Sequence, residues 1–300
     1  MQVHVGKCRK SIPSVYDPSA CFWYAMLRLF FLTVPDDHPK YQQAASIIGN
    51  NPGVGMKPMQ ADIKLDSSMI YLVKNDNKDD PSDDGETLSN ADWAKRYDNY
   101  LDRYQNTSGT TEDCSNLDTA KEACRFNTAQ LGACAQHPFG YLVESGKRVV
   151  EPCVMLKINR IFGWTPQKYS EEDLEEAQTL DEYYPEDQMP SEVADKIKAD
   201  GDKIYLDCSG ENPFDKETLV GKMKYFPQDA GIPFHYFPYE HAHRNYHNPM
   251  VAVKFSGLNP GVLYHIQCKL WAKGVTHLKK ERAGLVHFEI FLDDEVREEK

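Results

Sequence analysis

The chain has 300 residues, 41% of them hydrophobic, which is enough for a sizeable core and excludes a wholly disordered chain. A formal net charge of -12 excludes a nucleic-acid binder, because phosphate contacts need clustered Lys and Arg. An extracellular surface, or a face for a cation-rich partner, fits this balance better.

The first element is the apolar run CFWYAMLRLFFLTV, Cys21 to Val34, with Arg28 in its middle. As a helix it rises only about 21 Å, and counting from Pro18 extends it to about 25 Å, the lower limit for crossing a hydrocarbon core of about 30 Å. Lys7, Arg9 and Lys10 precede it and Asp36 and Asp37 follow it, so the positive-inside bias places the N-terminus in the cytoplasm and the rest outside. A signal peptide and a buried segment are the competing readings, but Pro35-Asp36-Asp37 is not a small-residue cleavage site. The expectation is one short transmembrane helix over residues 18–34, preceded by a cytoplasmic tail over 1–17.

Residues 35–91 are rich in Pro, Gly, Asn and Asp, as in IIGNNPGVGMKP and NDNKDDPSDDGET, and read as a juxtamembrane linker with loops that buries no core of its own. Ser89-Asn90 then offers a cap for a helix in which Trp93, Tyr97, Tyr100, Leu101 and Tyr104 recur at helical spacing. From Val149 onward the period alternates: Val154, Leu156 and Ile158 share a face, as do Val251, Val253 and Phe255, then Tyr264, Ile266, Cys268 and Leu270, then Val286, Phe288, Ile290 and Leu292. These are half-buried strands with Pro/Gly turns between them, and the expected fold is mainly β, an immunoglobulin-like sandwich over 92–300 carrying one helix and long loops. The acidic stretch Ser170 to Asp202 interrupts it and reads as a solvated face, part of it helical.

Six of the eight cysteines, Cys114, Cys124, Cys134, Cys153, Cys208 and Cys268, lie after the apolar run. An even set on one side points to disulfides and an oxidising compartment, against reduced core thiols as the bland alternative. Ile204, Leu206 and Cys208 alternate together, so Cys208 and Cys268 fall on the apolar faces of two strands and form a candidate bridge. Zinc is disfavoured because no Cys-x-x-Cys pair occurs.

No nucleophile elbow, phosphate loop or HExxH motif is present, so no catalytic residue and no cofactor is expected. His235, His241, His243 and His247 cluster in sequence, but Pro238 and Asn248-Pro249 around them indicate an irregular loop without fixed ligand geometry. Asn106-Thr107-Ser108 is a sequon and a candidate N-glycan site.

The segment KEACRFNTAQLGACAQ resembles an extracellular signature of the β subunits of sodium/potassium- and hydrogen/potassium-transporting ATPases. Lys121, Cys124, Arg125, Leu131, Cys134 and Ala135 match that pattern, and Gln136 replaces its final Gly. The likeness continues through Gly140-Tyr141, PCVMLKINRIFGWTP, Tyr225 to Pro227, HYFPY, PMVAVKF, the strand holding Cys268 and LVHFEIFLDD, most of Pro35 to Asp294 in order. Met1 to Ala20 lacks the family's longer tail, so the opening run reads as a shortened anchor.

The resemblance implies a non-catalytic type II plasma-membrane glycoprotein, most of it extracellular. It would assemble with a P-type ATPase α subunit, help it fold and reach the surface, and tune its potassium handling. Its bridges would be Cys114-Cys124, Cys134-Cys153 and Cys208-Cys268. Tyr236, Phe237, Pro238 and Tyr239 would lie near the α-subunit interface, the equal alternative being that these rings close the sandwich core. The anchor's aromatic residues Phe22, Trp23, Tyr24, Phe30 and Phe31 would meet membrane lipid and the pump's outer helices. A secreted or surface adhesion module built on the same sandwich is the alternative.

Overall fold

A computed structural model describes residues 18–35, 38–47, 49–59, 68–73, 89–105, 111–112, 123–143, 149–179, 188–240, 246–279 and 283–294. Its helices are α1 (Pro18–Leu32), α2 (Asn90–Gln105), α3 (Glu171–Gln178), α4 (Ser191–Ala199) and α5 (Pro213–Thr218). Its strands are β1 (Val54–Lys57), β2 (Met69–Val73), β3 (Thr111–Glu112), β4 (Ala123–Cys124), β5 (Cys153–Ile158), β6 (Lys203–Gly210), β7 (Met223–Phe226), β8 (Gly231–Pro233), β9 (Met250–Phe255), β10 (Leu263–Trp271) and β11 (Leu285–Asp293).

The helix α1 ends where the Thr33 hydroxyl donates to the Phe30 carbonyl, two residues before Pro35, which cannot continue a helix. Its 15 residues rise about 22 Å, and among the described residues no helix is long and apolar enough to cross a membrane. The helix expected over 18–34 is therefore shorter than a span requires. Its apolar side chains, from Phe22 to Leu32, are exposed.

Two large sheets share one core. The first has the order β1-β5-β9-β7 and is antiparallel throughout; the second has the order β2-β11-β10-β6-β8, in which β2 joins β11 in parallel. Val154, Leu156, Val251, Val253 and Phe255 face inward from the first sheet, against Ile266, Phe288, Ile290 and Leu292 from the second. The Phe255 and Phe288 rings meet edge to face at 6.1 Å, and the Cys208 amide donates to the Tyr225 hydroxyl across the gap at 2.9 Å.

The stretch expected to be linker and loops supplies β1 and β2, one strand to each sheet. Val54, Met56, Ile70 and Leu72 are buried there, because pairing with β5 and β11 gives two short apolar pairs a core that their own neighbours in sequence cannot provide.

The strands β5 and β9 are also not half-buried as their alternation implies: nearly every residue is buried on both faces. The outer face is covered by α2 and by the 3-10 segment Thr128–Ala135. The Tyr97 hydroxyl donates to the Cys134 carbonyl at 2.9 Å, its ring stacks on Phe139 at 4.4 Å, and the Tyr141 hydroxyl donates to the Cys153 carbonyl at 2.6 Å. Ser89 and Asp92 cap α2 reciprocally. Asn90 is buried and clamps the end of β2, its amide group donating to the Val73 carbonyl and accepting from the Val73 amide.

The acidic stretch is more than a solvated face. The helices α3 and α4 turn Leu174, Val193, Ala194 and Ile197 onto Tyr205 and Trp271, forming a second small core on the outer face of the second sheet. Ser170 and Asp173 form a capping box at the start of α3. Asp207 sits beside this core, lining a cavity of about 500 Å³ with Met189, Gln267 and Trp271. Burial pushes its carboxyl up to about 6, with Lys196 and Lys269 opposing and Glu192 reinforcing the shift.

A carboxyl whose folded-state pKa is raised binds its proton more tightly when folded, so its ionised form costs stability above about pH 6 and nothing below about pH 4. Asp207→Asn is expected to stabilise the chain at pH 7.5 by on the order of 1–2 kcal/mol, with the gain fading as pH falls from 6 to 4. Urea denaturation at several pH values measures this.

Candidate partner-binding surface

The loop after β5, residues 159–166, and the segment after β8, residues 234–240, meet at one end of the sheets. An isolated bridge pairs Phe162 with Tyr239, and the Gly163 amide donates to the Tyr239 carbonyl at 3.0 Å. Gly163 sits at φ +67, a conformation that glycine adopts without strain.

These pairings set how the aromatic motif is presented. A 3-10 turn over Phe234–Tyr236 points Tyr236 inward, 5% exposed and 6.0 Å from Phe126. Phe237 is half-buried edge-on to Trp164 at 5.4 Å; Pro238 and Tyr239 are half-buried beside it. Tyr239 meets Phe162 at 6.3 Å and Tyr246 at 5.1 Å. The Arg160 guanidinium lies 5.1 Å from the Tyr239 ring and 5.3 Å from the Tyr246 ring, and donates to the Tyr246 carbonyl at 3.2 Å. Such rings offer large contact area at low entropy cost, and Arg over Tyr is an arrangement common where proteins meet.

The same end receives the chain as it leaves α1. Gln43 donates from Nε2 to the Gly163 carbonyl at 3.0 Å, and the His38 ring lies 6.5 Å from Phe162. Phe22, Trp23, Tyr24, Phe30 and Phe31 are all more than half exposed on α1, with edge-to-face contacts only between chain neighbours. Two aromatic surfaces thus lie to either side of one short connection.

Arg160, Phe162 and Trp164 are members of this surface that strand periodicity passes over, and Tyr246, buried, backs it. The signal available was an Arg and two aromatics within six residues of a strand end, in NRIFGW. Of the cysteines, Cys134 bridges Cys153, tying the 3-10 cover to β5, and Cys208 bridges Cys268 directly opposite it on the neighbouring strand, Cα to Cα 4.0 Å. The second bridge therefore lies within one sheet and does not join the two. Cys124 is disulfide-bonded as well; Cys114 and Asn106 lie outside the described residues, as do His241 and His243. His247 is buried against Tyr104 at 5.1 Å, and among the described residues no group of His, Cys, Asp or Glu is arranged to hold a metal.

Burial divides the motif into a core residue and surface residues. Tyr236→Ala is expected to cost about 3–5 kcal/mol, as for other buried aromatics, and Tyr239→Ala under about 1 kcal/mol. Chemical denaturation of both variants tests the division, and equal losses would contradict it.

A family model described as the sodium/potassium ATPase beta chain matches residues 15–288. The chain is 31% identical over 287 residues to a probable sodium/potassium-transporting ATPase subunit beta-3 of Caenorhabditis briggsae, covering 92% of this chain and 76% of that protein. It is 27% identical to subunit beta-2 of Drosophila melanogaster, covering 91% and 79%, and 25% identical to human subunit beta-2, covering 86% and 76%. A match that begins before α1 and ends within β11, in chain order throughout, leaves one conclusion: the chain belongs to the sodium/potassium ATPase beta chain family.

Proposed function

We propose that this chain is the non-catalytic β subunit of a sodium/potassium pump, pairing with a P-type ATPase α subunit to support its folding, assembly, delivery to the plasma membrane and potassium handling. The observation that carries the reading is the family match from residue 15 to residue 288, which embraces the apolar helix, the disulfide-bonded sheets and the aromatic end in one unit. In this reading residues 1–17 are cytoplasmic, 18–34 lie in the membrane, and the remainder is an extracellular immunoglobulin-like ectodomain. The positive-inside bias and the disulfides support that orientation. The α subunit meets the aromatic residues of α1 within the lipid and Phe237, Pro238 and Tyr239 outside it.

The 15-residue length of α1 favours a second reading, a surface adhesion module released from the membrane. One experiment separates the two: coexpress the chain with an α subunit, wash the membranes at alkaline pH, solubilise them and pull on this chain. Recovery of the α subunit is expected. Its absence, with the chain found in the wash, would sink the pump reading. Asn106 is expected to carry a glycan in either case, so Asn106→Gln should remove one glycosidase-sensitive mobility step from the secretory-pathway protein.

A further inference from the structure

The most unusual charge arrangement in this acidic chain is positive. At the seam between α2 and the outer face of the first sheet, the Lys57 and Lys157 ammoniums and the Arg103 guanidinium lie 6.0, 5.7 and 5.7 Å from the centre of the Tyr100 ring. Arg160, two residues beyond β5, carries the cluster to Tyr239 and Tyr246. Lys57 and Lys157 are half-buried, and none of the four forms an ion pair with a described carboxylate. Asp98 and Asp102 stand on the same helix and leave these cations unneutralised.

Such an arrangement opposes the chain's own stability. Burial and then the neighbouring Arg103 pull the Lys57 ammonium below its ordinary range. Burial, Lys57, Arg160 and Arg103 do the same to Lys157. The Tyr100 ring attracts each cation only at the outer limit of a cation–π contact, while the cations repel one another. Four cations at one seam that pair with no described carboxylate have a ready complement in an anion.

We propose that Lys57, Arg103, Lys157 and Arg160 form an anion-binding seam that receives a carboxylate-bearing extracellular segment of the pump's α subunit. The choice of occupant rests on the β-subunit reading and on continuity: Arg160 belongs to both the seam and the aromatic surface, so a partner seated on Tyr239 reaches the seam without a gap. Charge complementarity supplies the rest. Gly55 lies beside the seam: a Cβ there would stand 3.1 Å from Oδ1 of Asn159 and 3.3 Å from Cε of Lys157, so both side chains would have to shift slightly.

The variant Lys57→Gln/Lys157→Gln tests this in two measurements on the full chain. In thermal unfolding in chloride the variant is expected to melt a few degrees higher than the wild type, because repulsion is relieved. Replacing chloride with sulfate at equal ionic strength should stabilise the wild type more than the variant, beyond the general effect of sulfate on both. A variant that melts lower, or an equal sulfate response, overturns the anion site and leaves these lysines structural. In pull-down of the α subunit at rising salt, the variant should lose the complex at several-fold lower salt. If the wild type recovers no α subunit at any salt, it is the β-subunit reading that fails. If both proteins retain α equally, the acidic-segment proposal fails, even where sulfate distinguishes them.

Discussion

Closing the outer face of the first sheet is the constraint on which the rest of the structure depends. Met155, Met250 and Ala252 point away from the shared core yet are fully buried, so something must lie on them. The chain meets this need with α2 and the 3-10 segment, and fastens the cover at three points close to Cys153: the bridge to Cys134, the Tyr97 hydroxyl on the Cys134 carbonyl, and the Tyr141 hydroxyl on the Cys153 carbonyl. Gly132 belongs to the same closure, since a Cβ there would run into the Phe226 ring at 2.5 Å.

With the sheet faces largely occupied, the ends and seams are left for a partner. The second sheet is partly covered by α3 and α4, and the first by α2. The aromatic end forms where β5 and β8 run out together, and Phe162, Trp164, Phe237 and Tyr239 stay half-buried there. The polypeptide arriving from α1 docks on that same end through Gln43 and His38, beside Gly163 and Phe162.

The cationic seam illustrates how a chain gives up local stability where function requires it. On the second sheet some charges are paired: Lys203 lies 2.9 Å from both Asp200 and Asp229, and Lys273 lies 2.7 Å from Asp173. Around Tyr100, Lys57, Lys157 and Arg103 pair with no described carboxylate, and two strands and a helix hold them there.

The sequence by itself determined the alternating strands β5, β9, β10 and β11, the aromatic stripe of α2 and the adjacency of Cys208 and Cys268, because each depends on a local period that packing only had to accept. The family, too, was legible from the order of its motifs. Tertiary structure alone decided the rest. The strands β1 and β2 have two inward apolar residues apiece amid Pro, Gly and Asp, and become strands only through their partners. The acidic surfaces of α3 and α4 hid Leu174, Val193 and Ile197, whose burial needs Tyr205 and Trp271 from distant strands. Lys57, Lys157 and Arg103 come from three separate elements and Arg160 from the loop after β5, and no spacing along the chain encodes that they meet; long-range packing against a covered sheet brings them together.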